Sequence, residues 1–188
     1  GRGRMAAHLA RGARLPTAFT ATEAQVAIPP RPLPGACPSG VLVGLGFGQI
    51  AAETLSELAQ FGPLRLTPWR MLLVEGVDRM PPLPGLIVRA DDPLLAVVAC
   101  TGAPGCPQGL AATRPLARAL APHVPAGAIL HVSGCAKGCA HPGVAPLTLV
   151  ARPGGHYDLI RNGTAADAAD ATNLSPDALS PALLREFR

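Results

Sequence analysis

Two pairs of cysteines, each placed just after an apolar run, constrain this chain more than any other feature. Leu95–Ala99 leads into Cys100-Thr-Gly-Ala-Pro-Gly-Cys106, and Ile129–Val132 leads to Cys135-Ala-Lys-Gly-Cys139. Short apolar runs bounded by Gly and Pro read as buried strands, so the fold has to deliver four thiols to loop positions on one side of one core. Soft thiolates take iron–sulfur clusters, zinc or copper(I), and four of them saturate one [4Fe–4S] cubane. Zinc is the second reading. Structural zinc sites draw cysteines from knuckles roughly two to four residues apart; the first pair is spaced too widely for that, while the second fits. Paired disulfides are the third reading, because an odd cysteine, Cys37, is left over and the opening is read as carrying no secretory signal. Backbone N–H groups around Gly102, Gly105, Gly134 and Gly138 are expected to donate to sulfur at these turns.

The 188 residues suffice for one domain or two small ones, with 48% apolar residues for a core. With 21 Gly and 22 Pro, many turns should separate short elements. Apolar runs such as Leu94–Ala99 are too short to cross a bilayer, and this cysteine usage fits a reducing cytoplasm. We therefore expect a cytoplasmic protein without a membrane partner. The net charge of +4 permits an anionic partner, but no basic helix and no interleaved aromatics point to nucleic acid. Nearly all of that charge is arginine. The one lysine, Lys137, falls between Cys135 and Cys139. A compact cation there suits pairing with substrate carboxylates or supplying protons, set against coincidence.

Residues 1–40 read as a tail, since Ile28-Pro-Pro-Arg-Pro-Leu-Pro-Gly35 suits neither a helix nor a central strand. Such a linker, in a chain that does not open with methionine, leads us to expect a missing N-terminal half. Residues 41–90 read as β-α-β-β: strand Val41–Leu45, a helix over Gln49–Phe61 with Ile50, Leu55, Leu58 and Ala59 in phase, then strands Leu64–Val74 and Leu86–Val88. That order is part of a ferredoxin-like split unit. Gly44-Leu-Gly-Phe-Gly48 lacks the third glycine of a dinucleotide site, so a close turn is expected there. Residues 91–188 carry the cysteines. They read as strand Leu95–Ala99, a helix over Gly109–His123 with Leu110, Leu116, Ala119 and Leu120 on one face, and strand Ile129–Val132. A hairpin of Leu147–Ala151 with Tyr157–Arg161 follows, then polar 162–172 and a last helix from Ser180. The fold class is α+β.

Leu64-Arg-Leu-Thr-Pro-Trp-Arg70 and His131-Val-Ser-Gly-Cys-Ala-Lys-Gly-Cys-Ala-His-Pro142 resemble the sulfite and nitrite reductase superfamily, and within it the precorrin-3B synthase family of aerobic cobalamin biosynthesis. The resemblance runs from Gly40 to Asn162. It implies a ferredoxin-like half-domain followed by a sulfite/nitrite reductase-type [4Fe–4S] α+β domain, the second of two pseudo-symmetric halves. It also implies a monooxygenase-type oxidoreductase that hydroxylates precorrin-3A with oxygen and closes a lactone. Cys100, Cys106, Cys135 and Cys139 would hold the [4Fe–4S] cluster, and NADH would be the external donor, with an electron-donor protein as a further partner. Siroheme or a mononuclear iron are additional cofactor candidates; Cys139 matches the cysteine that bridges cluster and tetrapyrrole iron in siroheme relatives.

Arg65 and Arg70 match the strand that contacts the tetrapyrrole in the superfamily and, with Lys137, are the carboxylate-binding candidates. Lys137 and His141 are the catalytic candidates, His141 as a proton donor or a structural histidine. Trp69 and His131 read as core residues, Arg114 as a substrate or surface residue, and Cys37 as inert. Three alternatives stay open: a fragment of a siroheme-dependent sulfite or nitrite reductase, a non-catalytic iron–sulfur electron carrier, and a zinc module.

Overall fold

The computed structural model describes residues 2–14 and 31–179. Two compact units divide the chain, Gly1–Arg31 and Pro32–Arg188. In the first, Arg2–Ala10 forms helix α1, so part of the stretch expected as irregular tail is helical; Met5-Ala-Ala-His-Leu-Ala10 has the alanine and leucine that favour this. The first three residues of the expected proline linker, 28–30, and the helix expected from Ser180 lie outside the described residues, while 31–34 are irregular as expected.

The second unit holds two five-stranded sheets. The first is antiparallel throughout: β1 (Gly35–Cys37), β2 (Gly40–Leu45), β3 (Leu64–Leu66), β4 (Met71–Glu75) and β5 (Leu86–Ile87), in the order β1-β2-β4-β3 with β5 also on β2. Cys37 is therefore not in a linker; it sits in β1 opposite Gly40. A side chain at Gly40 would come within 2.0 Å of the Val74 carbonyl oxygen, so only glycine lets β2 start against β4. Helix α2 (Ala52–Leu58) covers the sheet, with Leu58 buried against Val41, Val43, Leu72 and Val74. It is shorter than expected because Gln49 and Ala51 are extended. Ile50, which set the apparent period, reaches the same core from extended chain.

The single strand expected over Leu64–Val74 is instead the hairpin β3–β4. Pro68 cannot donate to a ladder, and Thr67 organises the turn: its hydroxyl donates to the Met71 carbonyl at 2.8 Å and accepts from the Trp69 N–H at 3.4 Å. Arg70 closes the turn in the left-handed region, φ 58°.

The second sheet runs β10-β9-β8-β7-β6: β6 (Val97–Ala99), β7 (Leu130–Ser133), β8 (Ala145–Ala151), β9 (Tyr157–Gly163) and β10 (Ala171–Leu174). β6, β7 and β8 are parallel; β9 and β10 return antiparallel. Parallel neighbours need a crossover, supplied between β6 and β7 by α3 (Thr113–Leu120), whose Ala117 and Leu120 bury against Leu130, Val132, Leu147 and Leu149.

Three sequence expectations shift here. Residues 109–112 are loop, not helix, because the Leu110 N–H is bound to the Gly134 carbonyl at 2.9 Å and the Ala111 carbonyl to the Ala103 N–H at 2.9 Å; Leu110 is consequently exposed. Pro93–Ala96 forms a helical turn capped by the Asp92 carboxylate, which delays β6 to Val97. β10 begins inside the stretch read as merely polar, 162–172, and runs on to Leu174; its Asn173 N–H is held by the Asp158 carboxylate at 3.0 Å. The α+β class stands. Among the described residues no helix is long and apolar enough to cross a membrane.

Candidate functional site

β6 and β7 run side by side in parallel, so their C-terminal ends open on the same edge, where α/β sheets bind ligands. Cys100 is the residue after β6, and Cys135 follows β7 by two. The ladder even runs on: the Cys100 N–H donates to the Val132 carbonyl at 3.3 Å. Register between two strands thus fixes the spacing between two cysteine loops.

Hydrogen bonds between the loops complete the arrangement. The Gly134 N–H donates to Cys100 Sγ at 3.1 Å, a contact of the kind expected for the glycines at these turns. Thr113, wholly buried at the start of α3, donates from its hydroxyl to the Cys100 carbonyl at 2.7 Å. Ser133 ties down the second loop by donating to the Cys135 carbonyl at 2.7 Å. Tyr157 donates to the Ala112 carbonyl at 2.8 Å; burial, and secondarily the nearness of Cys100, push its hydroxyl pKa up. Thr113, Ser133 and Tyr157 were not singled out from sequence, since nothing in a hydroxyl's position along the chain tells which distant carbonyl it meets.

The result is one cavity of about 520 Å³ lined by Cys100, Cys106, Cys135 and Cys139 together with Lys137 and Thr101. All four sulfurs are free thiols, as is Cys37. Among the described residues no three His, Cys, Asp or Glu side chains are gathered closely enough to hold a single metal ion. A mononuclear zinc needs its sulfurs about 2.3 Å from one centre. A polynuclear cluster, whose irons sit apart, takes its thiolates further from one another and needs a roomy cavity with N–H donors aimed at sulfur. Four thiols around one cavity, with an N–H donor aimed at one sulfur, are a donor set that a cluster accepts.

The other candidates separate. Lys137 lines the cavity. His141 does not; it is half-buried, with Nε2 3.1 Å from the Val144 carbonyl oxygen. Arg65 lies on the edge strand β3 in an ion pair with Glu75 at 2.6 Å, and Arg70 stands at the β3–β4 turn; neither lines the cavity. Trp69 is half-buried. Arg114, the second residue of α3, reaches Thr101 at the cavity wall, Nη2 to Oγ1 at 3.4 Å.

His131 sits behind the second loop. It is fully buried in β7, its ring meets the edge of His141 at 5.7 Å between centroids, and neither ring nitrogen has a hydrogen-bond partner. Burial, assisted by the charge of His141, pushes its pKa down to about 4 from the usual 6.5. Between those two values the unfolded chain binds a proton that the folded chain refuses, so stability falls as pH drops from 6.5 to 4. We expect a loss on the order of 2 kcal/mol across that window. A His131→Gln variant should flatten the corresponding part of a denaturation-versus-pH curve; an unchanged slope would assign it to other groups.

No protein-family model matches the chain. Over 141 residues it is 36% identical to a protein named precorrin-3B synthase from a Sinorhizobium species, a stretch covering 65% of this chain and 30% of that protein. Among solved structures it resembles the Mycobacterium tuberculosis NirA protein, TM-score 0.51 at 18% identity, over 83% of this chain and 38% of that one. At that identity the second likeness is one of fold. The chain thus spans about a third of the length of either protein. The resemblance to precorrin-3B synthase read from the cysteine motifs stands, and so does the fold class.

Proposed function

We propose that this chain, a relative of precorrin-3B synthase over the stretch compared, is the cluster-bearing and tetrapyrrole-binding part of an oxidoreductase of that type. The observation that carries the reading is the convergence of Cys100, Cys106, Cys135 and Cys139 on one cavity that also admits the chain's single lysine. The four thiolates would hold a [4Fe–4S] cluster, which when bound supplies electrons one at a time, as oxygen chemistry on a closed-shell organic substrate requires. The substrate would be precorrin-3A, hydroxylated and lactonised, with NADH as the ultimate donor and the protein at work in the cytoplasm.

The chain's own residues have three tasks in this scheme. The Gly134 N–H, pointed at Cys100 Sγ, stabilises negative charge on that sulfur. Thr113 and Ser133 hold the two loops to α3 and to β7, so the thiols stay in register. Lys137 Nζ would pair with a substrate carboxylate at the cavity mouth and would give a proton to an oxygen formed there.

The test is elemental analysis after anaerobic purification, followed by turnover. About four irons and four sulfides per chain, with oxygen-dependent consumption of precorrin-3A, is the expected result; one zinc and no sulfide would sink it. A siroheme absorption band would favour a sulfite or nitrite reductase instead. Lys137→Ala should weaken tetrapyrrole binding about tenfold, the scale of a charge-assisted hydrogen bond, while iron content stays at wild type. Unaltered binding returns Lys137 to coincidence.

A further inference from the structure

We propose that Arg114, Arg118 and Arg70 form a carboxylate-binding track that leads away from the cysteine cavity, along one face of α3, to the Gly46-Phe47-Gly48 turn. The inference rests on the tetrapyrrole reading above and assigns residues to its acidic periphery.

Arg114 begins the track. It follows Thr113, which is fastened to Cys100, and its own guanidinium reaches Thr101 on the cavity wall. Its Nε is buried without a hydrogen-bond partner. A buried cationic donor left unpaired is costly and calls for an acceptor oxygen.

Arg118 lies one turn further on the same helix face, since residues four apart are neighbours there. Its guanidinium stacks over the Phe47 ring, 5.1 Å from the centroid, and covers Gly46, where an added methyl would meet Nη2 at 3.1 Å. Like charges at this spacing repel mildly, yet the helix keeps both. From the other side of the same turn comes Arg70. Its left-handed backbone, φ 58°, is a conformation that a non-glycine residue holds only under constraint from its surroundings. Its side chain runs past Gly48, with Cδ 3.5 Å from where a Cβ would stand.

Ion pairs alone do not single these arginines out, since Arg79 has none either; what joins them is their place on α3 and at the Gly46–Gly48 turn. Arg65, Arg89 and Arg152 are neutralised by Glu75, Asp91 and Asp158. Arg70, Arg114 and Arg118 have no acidic partner among the described residues. Guanidinium forks match carboxylates with two parallel hydrogen bonds. A row of unneutralised forks leading out of a cavity that holds a lone ammonium therefore fits a flat ligand with several carboxylates spread along its rim. The glycines of the turn make room for these side chains, Arg118 over Gly46 and Arg70 past Gly48, while Gly44 is packed against Ile87 and Pro34.

The probe is uroporphyrin, with a carboxylate on every rim side chain, compared with coproporphyrin, which has half as many. Binding is read by fluorescence quenching on the cluster-loaded protein. Arg114→Gln and Arg118→Gln keep the methylene stems; each is expected to lower uroporphyrin affinity about tenfold and to shrink its advantage over coproporphyrin, with iron and sulfide content unchanged. Arg118→Lys, which keeps the charge and loses the fork, should fall between. Arg89→Gln, on the exposed arginine paired with Asp91, should change nothing. Wild-type affinity and wild-type preference in both glutamine variants overturns the track. If the unmodified protein ignores uroporphyrin, the tetrapyrrole reading falls and the track with it. If uroporphyrin binds and only Lys137→Ala weakens it, that reading survives and the track alone is wrong.

Discussion

Replacing Cys135 with serine is expected to abolish the brown absorbance of the anaerobically purified protein and the low-temperature electron resonance of its reduced form. The serine hydroxyl is a hard, protonated donor where a soft thiolate is required. Loss of a partner that merely orients a ligand already costs ten- to hundredfold in metal affinity, so loss of a ligand should leave about a tenth of the iron or less. The fold should survive, because Cys135 is only half-buried and its loop is also held by Ser133 through the Cys135 carbonyl, which the substitution leaves intact. The check is iron and sulfide per chain beside a melting curve. Retained colour with retained iron would show that Cys135 is not a ligand and would remove the basis of the proposed function.

Gly102→Ala is expected to do the reverse, damaging fold and site together. Gly102 is buried in the loop between Cys100 and Cys106 with φ 64°, and a Cβ there would lie 2.7 Å from Thr113 Oγ1 and 2.8 Å from both the Ala111 carbonyl oxygen and the Thr113 nitrogen. Two of those three neighbours are backbone, so no rotamer change relieves them. Left-handed strain costs about 1–3 kcal/mol and overpacking about the same again. A total of about 2–6 kcal/mol lowers the melting temperature by about 5 °C or more in a chain of this size. The collision also pushes on the Thr113 hydroxyl that holds Cys100, so iron content should drop in parallel. A variant that melts like the wild type and keeps its iron would mean that the loop adopts another path.

How much of this was legible in the chain depends on the reach of each signal. The strands leading to the two cysteine loops could be read because Val97–Ala99 is apolar, Leu130–Val132 is apolar but for His131, and turn residues bound both. Their parallel pairing, which brings the loops together, follows from α3 bridging them. The β3–β4 turn was missed although Thr67-Pro68 announces a break, because the apolar residues on both sides masked it. The helix over 109–112 was overextended for a different reason: Leu110, Ala111 and Ala112 have helical composition, but the Leu110 N–H is spent on Gly134 in the opposite cysteine loop and the Ala111 carbonyl on Ala103 in the nearer one, a demand that no helical pattern encodes. The same holds within the site. The cysteines declare themselves by spacing, and Lys137 by standing between two of them. Arg118 gives no such sign, since its place beside Phe47 depends on how α3 meets a turn more than sixty residues earlier in the chain.

The position of α3 between the two cysteine-bearing strands governs when the site can exist. Half of the thiols are strung before the helix and half after it, so they become neighbours only once the polypeptide has doubled back and β6 has zipped onto β7. If a cluster binds there as proposed, its loading would follow the raising of a scaffold built on Leu130, Val132, Leu147 and Leu149. That sequence of events is opposite to that of miniature zinc modules, whose ion moulds the chain around itself. On the proposed reading, the empty scaffold would hold its shape before any cluster is loaded, since its core is built from side chains of the sheet and α3 alone.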